Sequence, residues 1–379
     1  MRYLAVQGKK PVTHRGNKSL VRLPLLFFCL LFLSFLPGCA VIPYTPKITD
    51  QEGNVIPGSI ALMEKVKIGG VDQWLLIRGK TKENPILLIL HGGPGSPVGP
   101  LTAHYNSELE DYFVVVNWDQ RGAGKSYSPD IPVETMTIDQ FIADTHEVIE
   151  LIRNRFAQEK VFLLGHSWGS YLGILVAQKY PDLVHAYIGV GQLVKATENE
   201  EISYTYVWQK AVKTGNKKAI RELQGINTPG PYYSIDPKGD WFDRLMVQRE
   251  WLLKFGGCIY QETSYNKWIS VFMSRPEYSV GDSLNWIKGN EFSLKAMWPE
   301  IIKRCDLFKE VPALGVPVYF FIGRHDYNTP SELAERYFHV LEAPKKEWIW
   351  FERSAHSPLF EEPQKFNELL IKKVRTEVL

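Results

Sequence analysis

The 379-residue sequence predicts an α/β fold: a mostly parallel sheet of the eight-stranded type, helices on both of its faces, and a helical cap inserted late in the chain. Three observations predict it. Short unbroken apolar runs, the mark of strands buried on both faces, alternate with stretches of helical periodicity. A serine stands in G-x-S-x-G directly between one such run and a helical stretch. Between Val190 and Val316 the strand runs stop and the chain turns rich in Trp and Tyr. With 45% hydrophobic, 13% aromatic and 23% charged residues, the composition is globular and excludes a disordered or fibrous chain.

The elements follow in order. Residues 66–68 and 74–77, separated by Gly69-Gly70-Val71-Asp72, read as an opening hairpin. Residues 86–90 (ILLIL) and 112–118 (YFVVVNW) are continuous apolar runs and read as buried strands. Ile138, Phe141, Ile142, Val148, Ile149 and Ile152 recur at helical spacing. Residues 161–164 (VFLL) form the next strand, and a helix of small residues runs from Trp168 to Tyr180, ending before Pro181. Strands follow at 184–190, 318–322 (VYFFI) and 348–351 (WIWF), and a helix over 361–374 closes the chain. The layout is therefore a core over 59–192 and 312–379, with a cap over 193–311. Six of the eleven tryptophans fall in the cap, Trp208, Trp241, Trp251, Trp268, Trp286 and Trp298. Most of them fill its core, and a minority are expected to line a pocket.

The first 38 residues stand apart from this layout. They carry Arg2, Lys9, Lys10, Arg15, Lys18 and Arg22 and no acid, so removing them takes the formal net charge from +2 to −4. The near-neutral body carries no basic surplus that would point to nucleic acid. Residues 23–36 form an apolar run of 14 residues, short of the roughly 20 a span needs and suited to a signal region. The run ends Leu36-Pro37-Gly38-Cys39, which resembles the lipidation box of bacterial lipoproteins, with Cys39 as the lipidated residue. An uncleaved membrane anchor is the alternative, and both place the body outside the cytoplasm. Residues 39–58, with three prolines and two glycines, read as a tether. Cys258 and Cys305 either pair or remain buried thiols; nothing in their spacing argues for a bond, and buried thiols are preferred.

The chemistry sits at strand ends. Gly165-His166-Ser167-Trp168-Gly169 follows one strand and opens a helix, the context in which the serine is forced into a sharp turn with its hydroxyl exposed. A serine hydroxyl needs a base. In the chain order Ser, Asp, His, Asp326 follows VYFFIGRH and His356 follows WIWFERSA, with Asp306 a distant second choice as acid. The oxyanion of an acyl-transfer intermediate needs two N–H donors: Trp168, next after the serine, and Gly93 in the loop His91-Gly92-Gly93-Pro94-Gly95. That loop also reads as a tight turn with room for a cis Gly93–Pro94 bond. No metal or cofactor is expected, since Gly122-Ala123-Gly124-Lys125-Ser126 lacks the phosphate-loop spacing.

HGGPG at 91–95, WDQRGAGKS at 118–126, GHSWGS at 165–170, GRHDYNTP around Asp326 and AHSP around His356 together resemble the proline iminopeptidase family of the α/β-hydrolase fold. The likeness spans roughly residues 60–375, dense in the sheet motifs and weak in the cap. It implies a Ser167–Asp326–His356 triad, an oxyanion hole at Gly93 and Trp168, and a bracing role for Asp119 and Arg121. It also implies cleavage of an N-terminal proline, with cap glutamates holding the free amine. The family's W-x-x-W-E cap motif is absent here. Among the cap acids Glu198, Glu200, Glu201, Glu222, Glu250, Glu262, Glu277 and Glu291, Glu250 beside Trp251 is the first choice, the other reading being a surface glutamate paired with a neighbouring cation. The leading expectation is an aminopeptidase-type serine hydrolase acting on short peptides. A lipid-anchored esterase or amidase with another acyl substrate is the alternative, and a catalytically dead binding module stands against an intact set of motifs. Fold relatives that hydrolyse epoxides use an aspartate nucleophile, which Ser167 argues against.

Overall fold

The computed structural model describes residues 42–226 and 241–379. The leader with Cys39, and the cap stretch 227–240, lie outside the described residues. Strands β1 (Ile60–Ile68) and β2 (Val71–Gly79) pair antiparallel, turning at Gly69 and Gly70 with φ of 54° and 82°. Both residues of this tight turn need the left-handed region, which glycine enters freely. The hairpin is longer than the apolar pattern implies. β1 is a half-exposed edge strand carrying Glu64, Lys65 and Lys67, so its outer half shows no continuous apolar run.

β3 (Ile86–Leu90), β4 (Val114–Asp119), β5 (Val161–His166), β6 (Val184–Val190), β7 (Val318–Gly323) and β8 (Lys346–Phe351) complete an eight-stranded sheet in the order β1-β2-β4-β3-β5-β6-β7-β8. β2 also runs antiparallel to β4, and the pairings from β4 through β8 are parallel. The expected mostly parallel sheet is thus present. Its apolar runs feed two cores. Ile86, Leu88, Leu90, Val114, Val116, Val161 and Leu163 face one side, while Leu87, Ile89, Val115, Phe162 and Leu164 face the other. This is the period-two alternation of a strand with both faces covered. Helices α2 (Ile138–Phe156), α3 (Trp168–Lys179) and α10 (Ser331–Val340) cover the first side. The short α1 (Gly99–Tyr105), α11 (Pro358–Glu361) and α12 (Pro363–Leu369) cover the second.

Between β6 and β7 lie α4 (Ala196–Lys213), α5 (Lys217–Gly225), α6 (Trp241–Lys254), α7 (Asn266–Ser274) and α8 (Val280–Arg304), followed by the single turn α9 (Leu307–Glu310). α4, α5 and α6 share a small core of their own, built on Val207, Ala211, Leu223, Trp251 and Leu252. α8 instead lies against the core domain. Asn290 Nδ2 donates to Ser96 Oγ at 2.7 Å, Trp286 Nε1 to the Pro97 carbonyl at 3.0 Å and Ser293 Oγ to the Gly122 carbonyl at 3.0 Å.

Two details differ from or resolve the sequence reading. The stretch expected to be a tether is laid against the body at its described end: Tyr44 N–H donates to the Pro276 carbonyl at 3.1 Å, and Arg78 holds Thr45 and, at 2.6 Å, the Pro46 carbonyl. Proline-rich composition marks absent secondary structure, and these segments still dock where a buried cation offers donors. Cys258 and Cys305 are both free, buried thiols, and burial pushes the Cys258 thiol up to about 12. Among the described residues no helix is long and apolar enough to cross a membrane, and no group of His, Cys, Asp and Glu is gathered for a metal ion.

Candidate active site

Ser167 occupies the junction of β5 and α3 with φ 57° and ψ −121°, a conformation that costs a non-glycine residue about 1–3 kcal/mol. The surrounding packing imposes it. A Cβ on Gly165 would drive into the Gly169 carbonyl, and one on Gly169 into the Leu90 carbonyl, so both glycines of the motif are sterically required. Ser167 N–H donates to the Val190 carbonyl at 3.0 Å, fixing the turn to the end of β6.

His356 and Asp326 arrive at the same edge from the loops after β8 and β7. His356 Nδ1 lies 2.9 Å from Asp326 Oδ2. The Asp326 carboxylate is fully buried; its Oδ1 accepts the Asn328 and Thr329 N–H groups at 2.9 Å each, and Thr329 Oγ1 donates to Oδ2 at 2.8 Å. The acceptor role of Asp326 assigns the proton of His356 to Nδ1 and leaves Nε2 with a lone pair. Here Nε2 is met by Asn328 Nδ2 at 2.9 Å, and among the described residues it makes no hydrogen bond to Ser167. The ring nonetheless lies over the Ser167 turn: a Cβ on Gly191, next after Val190, would sit 3.0 Å from His356 Nδ1, and the His166 and His356 rings are 4.8 Å apart.

The glycine loop closes the other side. Gly92 lies so near the Ser167 turn that an added Cβ would stand 3.0 Å from Ser167 Cβ. Gly93 has φ 112° and precedes a cis bond to Pro94. Trp168 begins α3, a position whose N–H has no acceptor within the helix, and the helix dipole there favours negative charge, while the Ser170 N–H turns back to the Ser167 carbonyl at 2.8 Å. The WDQRG turn ties these parts together. Gln120 N–H donates to His91 Nε2 at 3.1 Å, its side-chain amide donates to the His91 carbonyl at 3.1 Å, and its oxygen accepts Trp168 Nε1–H at 3.0 Å. Arg121 makes two hydrogen bonds to the buried Asp144 of α2, at 2.8 and 3.0 Å. Asp119 accepts the Lys125 N–H at 2.9 Å and the hydroxyl of the cap residue Tyr278, and burial pushes its carboxyl up to about 6.

His91 and His166 are both fully inside the fold. Desolvation lowers His91 to about 4 and His166 to about 3, the latter helped by the nearby His356. A folded value below the unfolded one, about 6.5, gives stability that is present above pH 6.5 and lost as pH falls toward the folded value. Each histidine is therefore expected to contribute up to about 1.4 kcal/mol of destabilisation per pH unit below 6.5. Urea unfolding between pH 7 and 4.5 measures this. His91→Gln should give a shallower slope than wild type, and an unchanged slope would discard the assignment.

The structure pairs Asp326 with His356, sets that ring beside the turn of Ser167 and Trp168, and lays Gly92, the neighbour of Gly93, against Ser167, but it places Glu250 elsewhere. Glu250 faces solvent on α6, 54% exposed, and pairs with Lys254 one turn on. An i, i+4 pair with lysine is the ordinary state of a surface helix glutamate. A different acid from the same set, Glu200 of α4, is buried. Its Oε1 accepts Arg249 Nη2 at 2.6 Å and Asn199 Nδ2 at 3.1 Å, while its Oε2 is buried and has no partner among the described residues. Asn199 also donates to the Asn328 backbone carbonyl at 2.9 Å, so Glu200 stands two hydrogen-bonded residues from His356. Asn328 and Thr329 were not singled out from sequence. The pattern Asp-x-Asn-Thr, in which an aspartate accepts the N–H groups two and three residues on, is the local signal that marks them.

An eight-stranded α/β-hydrolase sheet with a serine on the strained turn after β5, and a histidine–carboxylate pair facing it, defines a hydrolase. The family model described as serine aminopeptidase, S33, matches residues 85–363. A relative, the probable aminopeptidase YbaC of Bacillus subtilis (strain 168), is 37% identical over 317 residues, covering 84% of this chain and 97% of that protein. The chain belongs to the S33 serine aminopeptidase family. A proline iminopeptidase of Heyndrickxia coagulans is 27% identical over 74% of this chain and 87% of its own length. Among solved structures, the proline iminopeptidase of Mycobacterium smegmatis superposes with a TM-score of 0.58 at 16% identity, over 84% of this chain and 99% of that one, a likeness of fold.

Proposed function

We propose that the protein removes a small N-terminal residue, proline or similar, from short peptides through a Ser167 acyl-enzyme. In this reading His356 Nε2 takes the Ser167 hydroxyl proton as Oγ attacks the scissile carbonyl, with Asn328 Nδ2 giving up its place on Nε2. Asp326 keeps the imidazole in the required tautomer and stabilises the imidazolium. The oxyanion takes the N–H groups of Gly93 and Trp168. His356 then protonates the leaving amine, and the same histidine activates the water that hydrolyses the acyl ester. The alternative of an esterase or amidase with another acyl group uses the same residues.

The observation that favours an aminopeptidase is the buried Glu200 carboxylate. Arg249 and Asn199 occupy one oxygen, and the other is buried with no donor among the described residues. A substrate ammonium supplies the missing donor, and an acylated amine does not. The test compares prolyl-anilide, N-acetyl-prolyl-anilide and a short aryl ester. Prolyl-anilide is expected to be cleaved at least about 100-fold faster than its acetylated form, since the acetylated amine leaves the second Glu200 oxygen buried without a donor. Glu200→Gln should raise KM for prolyl-anilide at least about tenfold. Turnover of the ester with both anilides inert would replace this reading with the esterase one.

A further inference from the structure

We propose that Glu361 is a positioning residue that ties His356 to the cap. Glu361 ends α11, the single turn that follows His356. Its carboxylate accepts the Ala355 N–H at 3.0 Å and the Ser357 N–H at 2.8 Å, the two amides flanking His356 in the chain. It also accepts a third N–H, that of Tyr260, at 2.7 Å from the cap. The amide between the first two, His356 N–H itself, donates to the cap carbonyl of Cys258 at 3.1 Å. Three successive amides, 355 to 357, are thus held alternately by one carboxylate and by the cap.

The cap segment 257–260 is held in return. The Gly257 carbonyl accepts the Tyr327 N–H at 3.0 Å, next to Asp326. One cap turn therefore grips both loops that carry the histidine–carboxylate pair, and Glu361 is the side chain that joins it to the histidine loop. No Lys, Arg or His forms an ion pair with Glu361 among the described residues. Burial raises its carboxyl above the usual range, and the three N–H bonds pull the other way. A buried acid kept without a cation needs other compensation, and fixed backbone donors provide it. The neighbouring Glu362 extends the same bracing, accepting the Arg353 N–H at 2.9 Å and the Ser354 hydroxyl at 2.8 Å. A shift of the cap turn, as when a substrate enters beneath it, is by this route a shift of His356.

This inference rests on the Ser167–His356–Asp326 reading above. Its test is Glu361→Gln in the full chain, assayed well below its melting temperature. The glutamine keeps the size but faces an N–H with its own NH2, so at least one of the three bonds is lost. Three readouts are taken: the rate of Ser167 labelling by a fluorophosphonate, kcat and KM on prolyl-anilide, and the downfield proton resonance of His356 Nδ1–H. The labelling rate and kcat are expected to fall about 10- to 100-fold, the cost of sub-ångström misplacement of a reacting group, with KM within about threefold. The downfield signal should broaden or move. A lower melting temperature with the labelling rate and the resonance unchanged would mean a role in stability alone and overturn the proposal. An unlabelled wild type would instead remove the Ser167 reading on which it rests. Should the variant not fold, amide hydrogen exchange on the wild type decides: Tyr260, Ala355 and Ser357 are expected to exchange slowly and to the same extent, and free exchange at any of them breaks the tie.

Discussion

Ser167→Ala is expected to lower kcat on prolyl-anilide by at least about 10⁴-fold, because in the proposed mechanism Ser167 is the nucleophile and the remaining contacts cannot replace it. The alanine keeps Cβ and the same φ, so the β5–α3 turn and the fold should be unaffected. His356→Ala should cost a comparable factor, and the double variant little more than either alone, since in the proposed mechanism the two residues act as one unit. Active-site-titrated enzyme and progress curves long enough to see residual turnover measure this. A Ser167→Ala protein retaining a tenth of wild-type activity would refute the assignment. Additive losses in the double variant would mean that His356 acts on some other group.

Arg121→Leu is expected to destabilise the fold by about 3–5 kcal/mol, the loss that follows when one partner of a buried ion pair is removed. Arg121 and Asp144 both have no solvent exposure. Leucine would leave the Asp144 carboxylate with only the amides of Gln73 at 2.9 Å and Gln140 at 2.7 Å. It would also strand the Gly69 carbonyl, which accepts Arg121 Nη2 at 2.8 Å. Lysine is not a conservative replacement, because it cannot reproduce the two-pronged contact. Urea unfolding of wild type, Arg121→Leu and Arg121→Leu/Asp144→Leu measures the effect. The double variant should lose less than the sum of the two single variants, the signature of a coupled pair. A single variant as stable as wild type would show that the pair contributes nothing.

The bracing has a consequence for the site. Gln120 precedes Arg121 and holds both His91 of the glycine loop and the Trp168 indole. The sequence pattern WDQRG thus links a buried ion pair, far from solvent, to the loops around Ser167. That Asp119 and Arg121 brace a turn near the site was expected from the likeness of WDQRG to the proline iminopeptidase family. That Asp144 is the partner of Arg121 was not, because Asp144 sits within an ordinary amphipathic helix pattern and only the packing of α2 against the turn brings the two together.

What the sequence alone determined is local. The strands β3 to β7 show themselves because burial on both faces demands unbroken apolar runs. The Ser167 turn shows itself because its backbone tolerates only glycine at 165 and 169. The acid and the histidine follow from chain order at the ends of β7 and β8. What only the tertiary structure decided depends on which surfaces meet. Glu250 and Glu200 look alike along the chain, yet one lies in water beside Lys254 and the other is buried against Arg249, because the helices of the cap turn different faces inward. Glu361 accepts N–H groups from Tyr260, Ala355 and Ser357, and no spacing rule marks a carboxylate whose donors are backbone amides on two separate segments. Covalent neighbours and periodic burial are written in the order of residues, whereas hydrogen bonds between distant loops exist only once the cap has closed on the sheet.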